Sequence, residues 1–330
     1  MATTNPSVDF VGQLTPPPLA GGGRWGTSGL MKVQLRGGAT YQLDMADSRA
    51  AVWATVLDDL RRDGRPVYLE HDAATGVITN LLQPKIFSVA AVAAPKNDQV
   101  EVALHPSHGR HFVRLSNRDA PNLLASLRNA QQQASDVLVT ETLSEHEIID
   151  VRSAAGFSTG SSSNPYVAPS ASAAVYPDDG CWGRAHEMVR LMLNSGLVSS
   201  PDIRKAWTFG SSGASLTVDT RNNPSCRVAW TYHVAPVIEI ITGVGEETRV
   251  IDPALFTGPV LESDWFNAQN DPSADLQESV NTVFWRDRTG STVETDPTYT
   301  KTQSVLATYR TDLMLRSASP DGPPPYAGCP

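Results

Sequence analysis

Cys181 follows Asp178-Asp179-Gly180 and opens a run to Asn194 in which Ala185, Met188, Val189 and Met192 recur at helical spacing, with Gly196 beyond its end. A thiol at the start of a helix meets one condition for a reactive thiolate, and a neighbouring imidazolium supplies the other. His233 lies in a strongly β-prone run, Val228 to Ile241, and Asp252 follows a second one, Thr248 to Ile251. The joining segment, 242–247, is rich in Gly and Glu, so the two runs are expected to pair antiparallel and bring His233 nearly level with Asp252. In that arrangement Asp252 would accept a hydrogen bond from one ring nitrogen of His233 and leave the other facing the thiol, the organisation of a nucleophilic Cys-His-Asp set. Spacing alone leaves the opposite reading open, because a buried cysteine at a helix start is more often an inert packing residue.

Trp230 and Tyr232 alternate with His233, which places them on the opposite strand face as core or cleft wall. Together with Trp182 they are the candidate cleft-wall or substrate-binding residues. His186, five positions after Cys181, points to another helix face and reads as a structural hydrogen-bonding group. Arg184 and Glu187 read as members of solvated ion pairs, and Cys226 as a structural or accidental thiol. No metal is expected: His146-Glu147 and His186-Glu187 begin like a zinc-protease word, but Asp150 and Arg190 stand where the second histidine belongs. His105, His108 and His111, three residues apart, read as part of a solvated polar turn, with a weak metal site as the alternative. Gly243-Val244-Gly245 is a turn and not a dinucleotide loop, and no phosphate loop occurs, so no cofactor is implied.

Three ordered words resemble the bacterial protein-glutaminase family. Tyr176-Pro177-Asp178-Asp179-Gly180-Cys181-Trp182-Gly183-Arg184-Ala185-His186-Glu187-Met188 is similar to its nucleophile segment, and Val228-Ala229-Trp230-Thr231-Tyr232-His233-Val234-Ala235 to its histidine strand. Arg249-Val250-Ile251-Asp252-Pro253-Ala254-Leu255-Phe256, with Gly258-Pro259-Val260 and Trp265, is similar to its aspartate segment. The resemblance implies a hydrolase that deamidates glutamine side chains of proteins or peptides through a Cys181 thioester, with catalytic Cys181, His233 and Asp252. Met31-Lys32-Val33 and Arg65-Pro66-Val67-Tyr68-Leu69 resemble that family's pro-region, which implies an inhibitory amino-terminal domain removed by a protease. The same triad would serve a transglutaminase-like acyl transferase, a cysteine peptidase or a small-molecule amidase, and a catalytically silent binding module is the reading from another class.

The elements that must position these groups follow from patterning over 330 residues, enough for about two domains. Residues 1–29, rich in Pro and Gly, read as a flexible arm. A hairpin around Arg36-Gly37-Gly38 leads to a helix with Ala51, Val52, Val56, Leu57 and Leu60 on one face, stopped by Gly64. Strands are expected over Val67–Leu69, Val77–Leu82, Phe87–Val92, Val100–Leu104 and Phe112–Leu115, then a helix over Ala120–Gln133. The fold class is therefore α+β, with a small α+β module over 30–150, a linker at 151–175, a domain at 176–316 that the family resemblance implies is a papain- or transglutaminase-like catalytic domain, and a disordered tail at 317–330.

The balance of 26 Lys and Arg against 35 Asp and Glu gives −9, which argues against a nucleic-acid partner. No apolar run is long enough to span a bilayer. The amino terminus has no basic and apolar signal pattern, and three widely spaced cysteines argue against a disulfide framework, so a reducing, cytoplasmic setting fits. The family resemblance implies secretion as the alternative, although the chain departs from that family's higher cysteine content.

Overall fold

The computed structural model describes residues 6–17, 29–157, 176–243 and 245–326. The arm and linker residues between these spans, and the last residues of the tail, lie outside the described residues. The chain divides into two compact units. One comprises Met1–Glu101, Phe112–Pro165 and Thr311–Pro323, the other Val102–His111, Tyr166–Arg310 and Pro324–Pro330.

The first half of the chain contains β1 (Ser7–Thr15), β2 (Leu30–Leu35), β3 (Thr40–Asp44), α1 (Ala50–Asp63), β4 (Pro66–His71) and β5 (Ile78–Leu82). It continues with β6 (Lys85–Val92), β7 (Gln99–His105), β8 (His111–Arg114), α2 (Ala120–Gln133), β9 (Asp136–Glu141) and β10 (Ile148–Ser153). The two series are copies of one arrangement: their sheets run β3-β2-β1-β4-β5 and β8-β7-β6-β9-β10. From the helix onward the offset between copies is constant at 70, pairing Ala50 with Ala120, Pro66 with Asp136 and Ile78 with Ile148. Left-handed positions recur at the same offset, Gly64 (φ 63°) with Ala134 (φ 48°) and Gly76 (φ 70°) with His146 (φ 57°). In the first copy Trp53, Val56, Leu57 and Leu60 of α1 close over Met31, Val33 and Leu35 of β2 and Val67 and Leu69 of β4.

Residues Ser7–Thr15, expected to lie in a flexible arm, form the central strand of the first sheet, antiparallel to both β2 and β4. Their alternating Val8 and Val11 supply buried side chains, and pairing on both edges satisfies the backbone that neighbouring Pro and Gly had made look irregular. The segment expected to be a linker begins with the last residues of β10, which pair with β9.

The remainder comprises α3 (Cys181–Ser195), β11 (Ile203–Phe209), β12 (Leu216–Thr220), β13 (Asn223–Trp230), β14 (Tyr232–Thr242) and β15 (Gly245–Val250). After it come β16 (Val260–Leu261), α4 (Glu262–Asn267), β17 (Asp275–Val280), β18 (Val283–Arg286), β19 (Val293–Thr295) and α5 (Thr300–Ser317). Its main sheet runs β16-β15-β14-β11-β17, and every pairing in it is antiparallel. α3 lies against the central strand β14. The β14–β15 hairpin has the expected antiparallel register, Val237 opposite Val250 and Thr242 opposite Gly245. Tyr326, in the segment expected to be a disordered tail, is buried, and its N–H donates to the carbonyl of Asn222 at 2.9 Å.

Candidate active site

Gly180 caps α3 with φ 87°, a conformation that side chains rarely adopt. A Cβ there would lie 2.5 Å from Cδ2 of Tyr309, and one on Gly183 would lie 2.5 Å from Cγ1 of Val305. The two glycines therefore let the first turn of α3 press against α5 and fix the entry of Cys181. Cys181 is buried, and burial pushes its thiol well above the ordinary range. Arg184 and a backbone hydrogen bond from Val234 oppose that shift, whereas Asp179 and Asp252 add to it.

His233 and Asp252 meet as the hairpin register requires. The Nε2–H of His233 donates to Oδ2 of Asp252 at 2.7 Å. The same carboxylate accepts the indole N–H of Trp265 at 2.8 Å and the backbone N–H of Ala254 at 3.0 Å. Burial raises the Asp252 carboxyl, but the His233 charge and these three donors outweigh it and hold the group below the usual carboxylate range. The other ring nitrogen of His233, Nδ1, is buried without a hydrogen-bond partner among the described residues.

Trp230 lies on the imidazole and not behind it. Its ring stacks on His233 at 4.3 Å and 23°, and Trp265 stacks at 5.6 Å and 28°. This corrects the expected opposite-face placement. Thr231 interrupts the strand between β13, which pairs with β12, and β14, which belongs to the main sheet, so alternation does not carry across it. Trp182 is buried edge-on to His108 at 6.1 Å, and the Tyr232 hydroxyl donates to the carbonyl of Pro106 at 2.6 Å.

His108 is the residue that sequence reasoning missed. Expected in a solvated turn, it is wholly buried, and His111 nearly so. Its backbone N–H donates to Oδ1 of Asp179 at 3.0 Å, and its carbonyl accepts the N–H of Thr231 at 2.8 Å. Ser107 donates to Oδ2 of Asp179 at 2.5 Å, an oxygen also bonded by the Tyr309 hydroxyl, and Gly109 bridges antiparallel to Trp230. Segment 106–109 is thus held at the site by Asp179, Thr231, Tyr232 and Trp230. The His108 ring bonds Tyr232 O through Nδ1 at 2.9 Å, which leaves Nε2 as the acceptor for the backbone N–H of Cys181 at 3.4 Å. Burial lowers the His108 pKa to about 3, with Asp179 opposing and His233 and Arg184 reinforcing the shift, so the ring is neutral. Sγ of Cys181 and one ring nitrogen each of His108 and His233 lie within 4.8 Å of one another.

The remaining expectations divide. His186 is held by Lys205 Nζ at 2.7 Å and the carbonyl of Asp296 at 3.3 Å, a structural pairing. Burial and the Lys205 charge lower its pKa to about 4. Arg184 and Glu187, expected in solvent, are buried; Arg184 donates to the carbonyl of Asp179 at 2.5 Å and Glu187 pairs with Arg190 at 2.5 Å. Cys226, expected to be a thiol, is disulfide-bonded, since distance along the chain does not limit which cysteines the fold brings together. No helix among the described residues is long and apolar enough to cross a membrane.

With this geometry in hand, comparison with known proteins gives one consistent group. Residues 162–269 match a family model described as Glutaminase. A crystal structure of pro-protein-glutaminase is 21% identical, covering 69% of this chain and 93% of that one, with a TM-score of 0.47. A mutant of that proenzyme gives 22% identity, the same coverage and a TM-score of 0.48. The NMR structure of protein-glutaminase from Chryseobacterium proteolyticum is 31% identical over 40% of this chain and 70% of that one, with a TM-score of 0.34. No curated protein matches the chain.

Proposed function

We propose that this chain, whose residues 162–269 match the Glutaminase family model, hydrolyses the side-chain amide of glutamine residues in proteins or peptides, releasing ammonia and leaving glutamate. The observation that carries this reading is the division of labour on His233: Nε2 is committed to Asp252, Nδ1 has no hydrogen-bond partner among the described residues, and one ring nitrogen lies within 4.8 Å of Cys181 Sγ.

In the proposed reaction His233 Nδ1 takes the thiol proton as Cys181 Sγ adds to the carboxamide carbon of glutamine, forming the C–S bond. The developing oxyanion is met by the backbone N–H of Cys181 at the start of α3. His233 returns the proton to the nitrogen, the C–N bond breaks, and ammonia leaves a thioester. Water, deprotonated by His233, then adds to the thioester, and expulsion of the sulfur restores the thiol. Asp252 stabilises the imidazolium in both halves, and the flanking indoles of Trp230 and Trp265 hold its ring plane.

We further propose that residues 30–150 act as a pro-region and that cleavage within 151–175 by a protease activates the enzyme. Support comes from segment 106–109. His108 Nε2 takes the N–H that the oxyanion would need, and the thiol beneath it is kept protonated by burial. A disulfide at Cys226 favours an oxidising compartment, so the reading extends to secretion.

The test is ammonia release from a glutamine-rich protein such as casein, with the chain intact and after limited proteolysis. Ammonia from the cleaved chain, lost in Cys181→Ala, is the expected result. A folded, cleaved chain that produces acid but no ammonia from glutamine peptides, as a peptidase would, overturns it.

A further inference from the structure

The cluster around the thiol has a property that deamidation does not require. Three soft or borderline donors converge: Sγ of Cys181 and one nitrogen each of His108 and His233, all buried and within 4.8 Å of one another. The far nitrogen of each imidazole is anchored, His108 Nδ1–H on the carbonyl of Tyr232 at 2.9 Å and His233 Nε2–H on Asp252 at 2.7 Å. Both rings therefore turn lone pairs inward, and an acceptor behind each ring is the outer-shell arrangement that orients metal-binding histidines. His233 Nδ1 has no hydrogen-bond partner among the described residues, which for a buried nitrogen is a desolvation cost unless something fills the position.

We infer that Cys181 Sγ, His108 Nε2 and His233 Nδ1 form a site for one Zn²⁺ ion that fastens segment 106–109 over the thiol. Its regulatory meaning rests on the amidase reading; the binding itself does not. One sulfur and two imidazoles suit Zn²⁺ and not Mg²⁺ or Ca²⁺, which take oxygen ligands. Zn–S of about 2.3 Å and Zn–N of about 2.0–2.1 Å in a tetrahedral site put the donors roughly 3.4–3.6 Å apart. The cluster, already within 4.8 Å, reaches this by closing each pair by no more than about 1.4 Å.

Binding exchanges bonds at two ligands: zinc replaces the Cys181 N–H on His108 Nε2 and the proton on Cys181 Sγ. The S–H bond breaks, its proton passes to solvent, and an S–Zn bond forms without any change of oxidation state. The net charge gained is one, beside the buried carboxylates of Asp179 and Asp252. The ion occupies both the sulfur that must attack and the nitrogen that must take its proton, and the loop supplies the third ligand through His108. Removing the loop removes that ligand, so activation and metal release are one event.

The experiment uses the full chain stripped of metal by a chelator and titrated with Co²⁺, followed by displacement with Zn²⁺. A thiolate-to-cobalt charge-transfer band saturating at one equivalent, with tetrahedral visible bands, is expected. Cys181→Ser should abolish that band. His108→Ala should weaken Zn²⁺ binding by more than about 100-fold, beyond what loss of an outer-shell partner costs. His105→Ala is the control for loop integrity: it alters the same loop, but its ring lies against Trp285 at 5.0 Å, so the band should persist. Circular dichroism identifies any variant that fails to fold, in which case His108→Asn replaces it. No thiolate band in the wild-type chain, or equal Zn²⁺ affinity in a folded His108 variant, overturns the proposal. Ammonia release is measured separately, so an inactive enzyme that still shows the band refutes the amidase reading alone, and an active enzyme without it refutes the zinc site alone.

Discussion

Replacing Asp252 by Asn removes one charge and almost no volume, so its effect can be worked out from the contacts. Oδ2 accepts both His233 Nε2–H and Trp265 Nε1–H, whereas Oδ1 accepts Ala254 N–H. An asparagine keeps the first two bonds only by turning its amide NH₂ toward Ala254, setting donor against donor at about 1–3 kcal/mol of stability. The imidazolium in the transition state also loses its counter-charge. With charge centres about 4 Å apart and an effective dielectric of about 20, that interaction is about 4 kcal/mol, or about a thousandfold in kcat/KM. The assay is initial-rate ammonia release by the proteolysed chain, with Trp265→Phe as the comparison that removes a donor to the same oxygen and leaves the charge. Asp252→Asn should fall about a thousandfold and Trp265→Phe less than tenfold. Equal losses in the two variants, or an Asp252→Asn enzyme within tenfold of the parent, would refute the assignment of Asp252 as the group that stabilises the His233 imidazolium.

Other perturbations separate the remaining parts of the account. Gly180→Ala should cost at least about 2 kcal/mol in denaturant unfolding, through left-handed strain and the 2.5 Å approach to Tyr309. Gly196→Ala, equally left-handed with nothing within 4 Å, should cost about 1 kcal/mol. The raised Cys181 pKa means that the folded thiol keeps a proton which the unfolded one loses above about pH 8.5. The intact chain should therefore lose up to about 1.4 kcal/mol per pH unit above that point, and Cys181→Ala should lack this component in urea titrations across pH. His108 has the opposite sign: with its folded pKa lowered to about 3, its contribution is present above about pH 6.5 and lost as pH falls toward 3. The protection factor of the Thr231 amide, which bonds the His108 carbonyl, should fall over that acid range in the wild-type chain once the pH dependence of intrinsic exchange is divided out.

The helix that carries Cys181 and the hairpin that brings His233 to Asp252 could be read from periodicity and turn composition, because both are local patterns. What escaped depends on contacts distant in sequence. The duplication in the amino-terminal half is carried by backbone geometry, with Gly64 and Gly76 answered by Ala134 and His146, so the shared left-handed positions do not appear as shared residues. β1 is flanked by Pro and Gly, and its strand character comes from partners on both sides. Trp230 was assigned to the wrong face because one residue, Thr231, separates strands of two different sheets. His108 stands 73 positions before Cys181 in a turn-rich segment, and only its burial distinguishes it from a solvated histidine. The nearest available signal was the recurrence of histidine at 105, 108 and 111 in so small a set of seven.

The central claim is that Cys181, activated by His233 and Asp252, attacks glutamine side chains once segment 106–109 is displaced. Its most direct test is intact-mass analysis of the proteolysed chain, quenched in acid during turnover of a glutamine-containing peptide, alongside quantitation of ammonia. The account predicts a peptide adduct on Cys181 that is lighter than peptide plus enzyme by one ammonia, absent from Cys181→Ala and from the intact chain. Ammonia release undiminished in Cys181→Ala, or an adduct mapped to another residue, would contradict it.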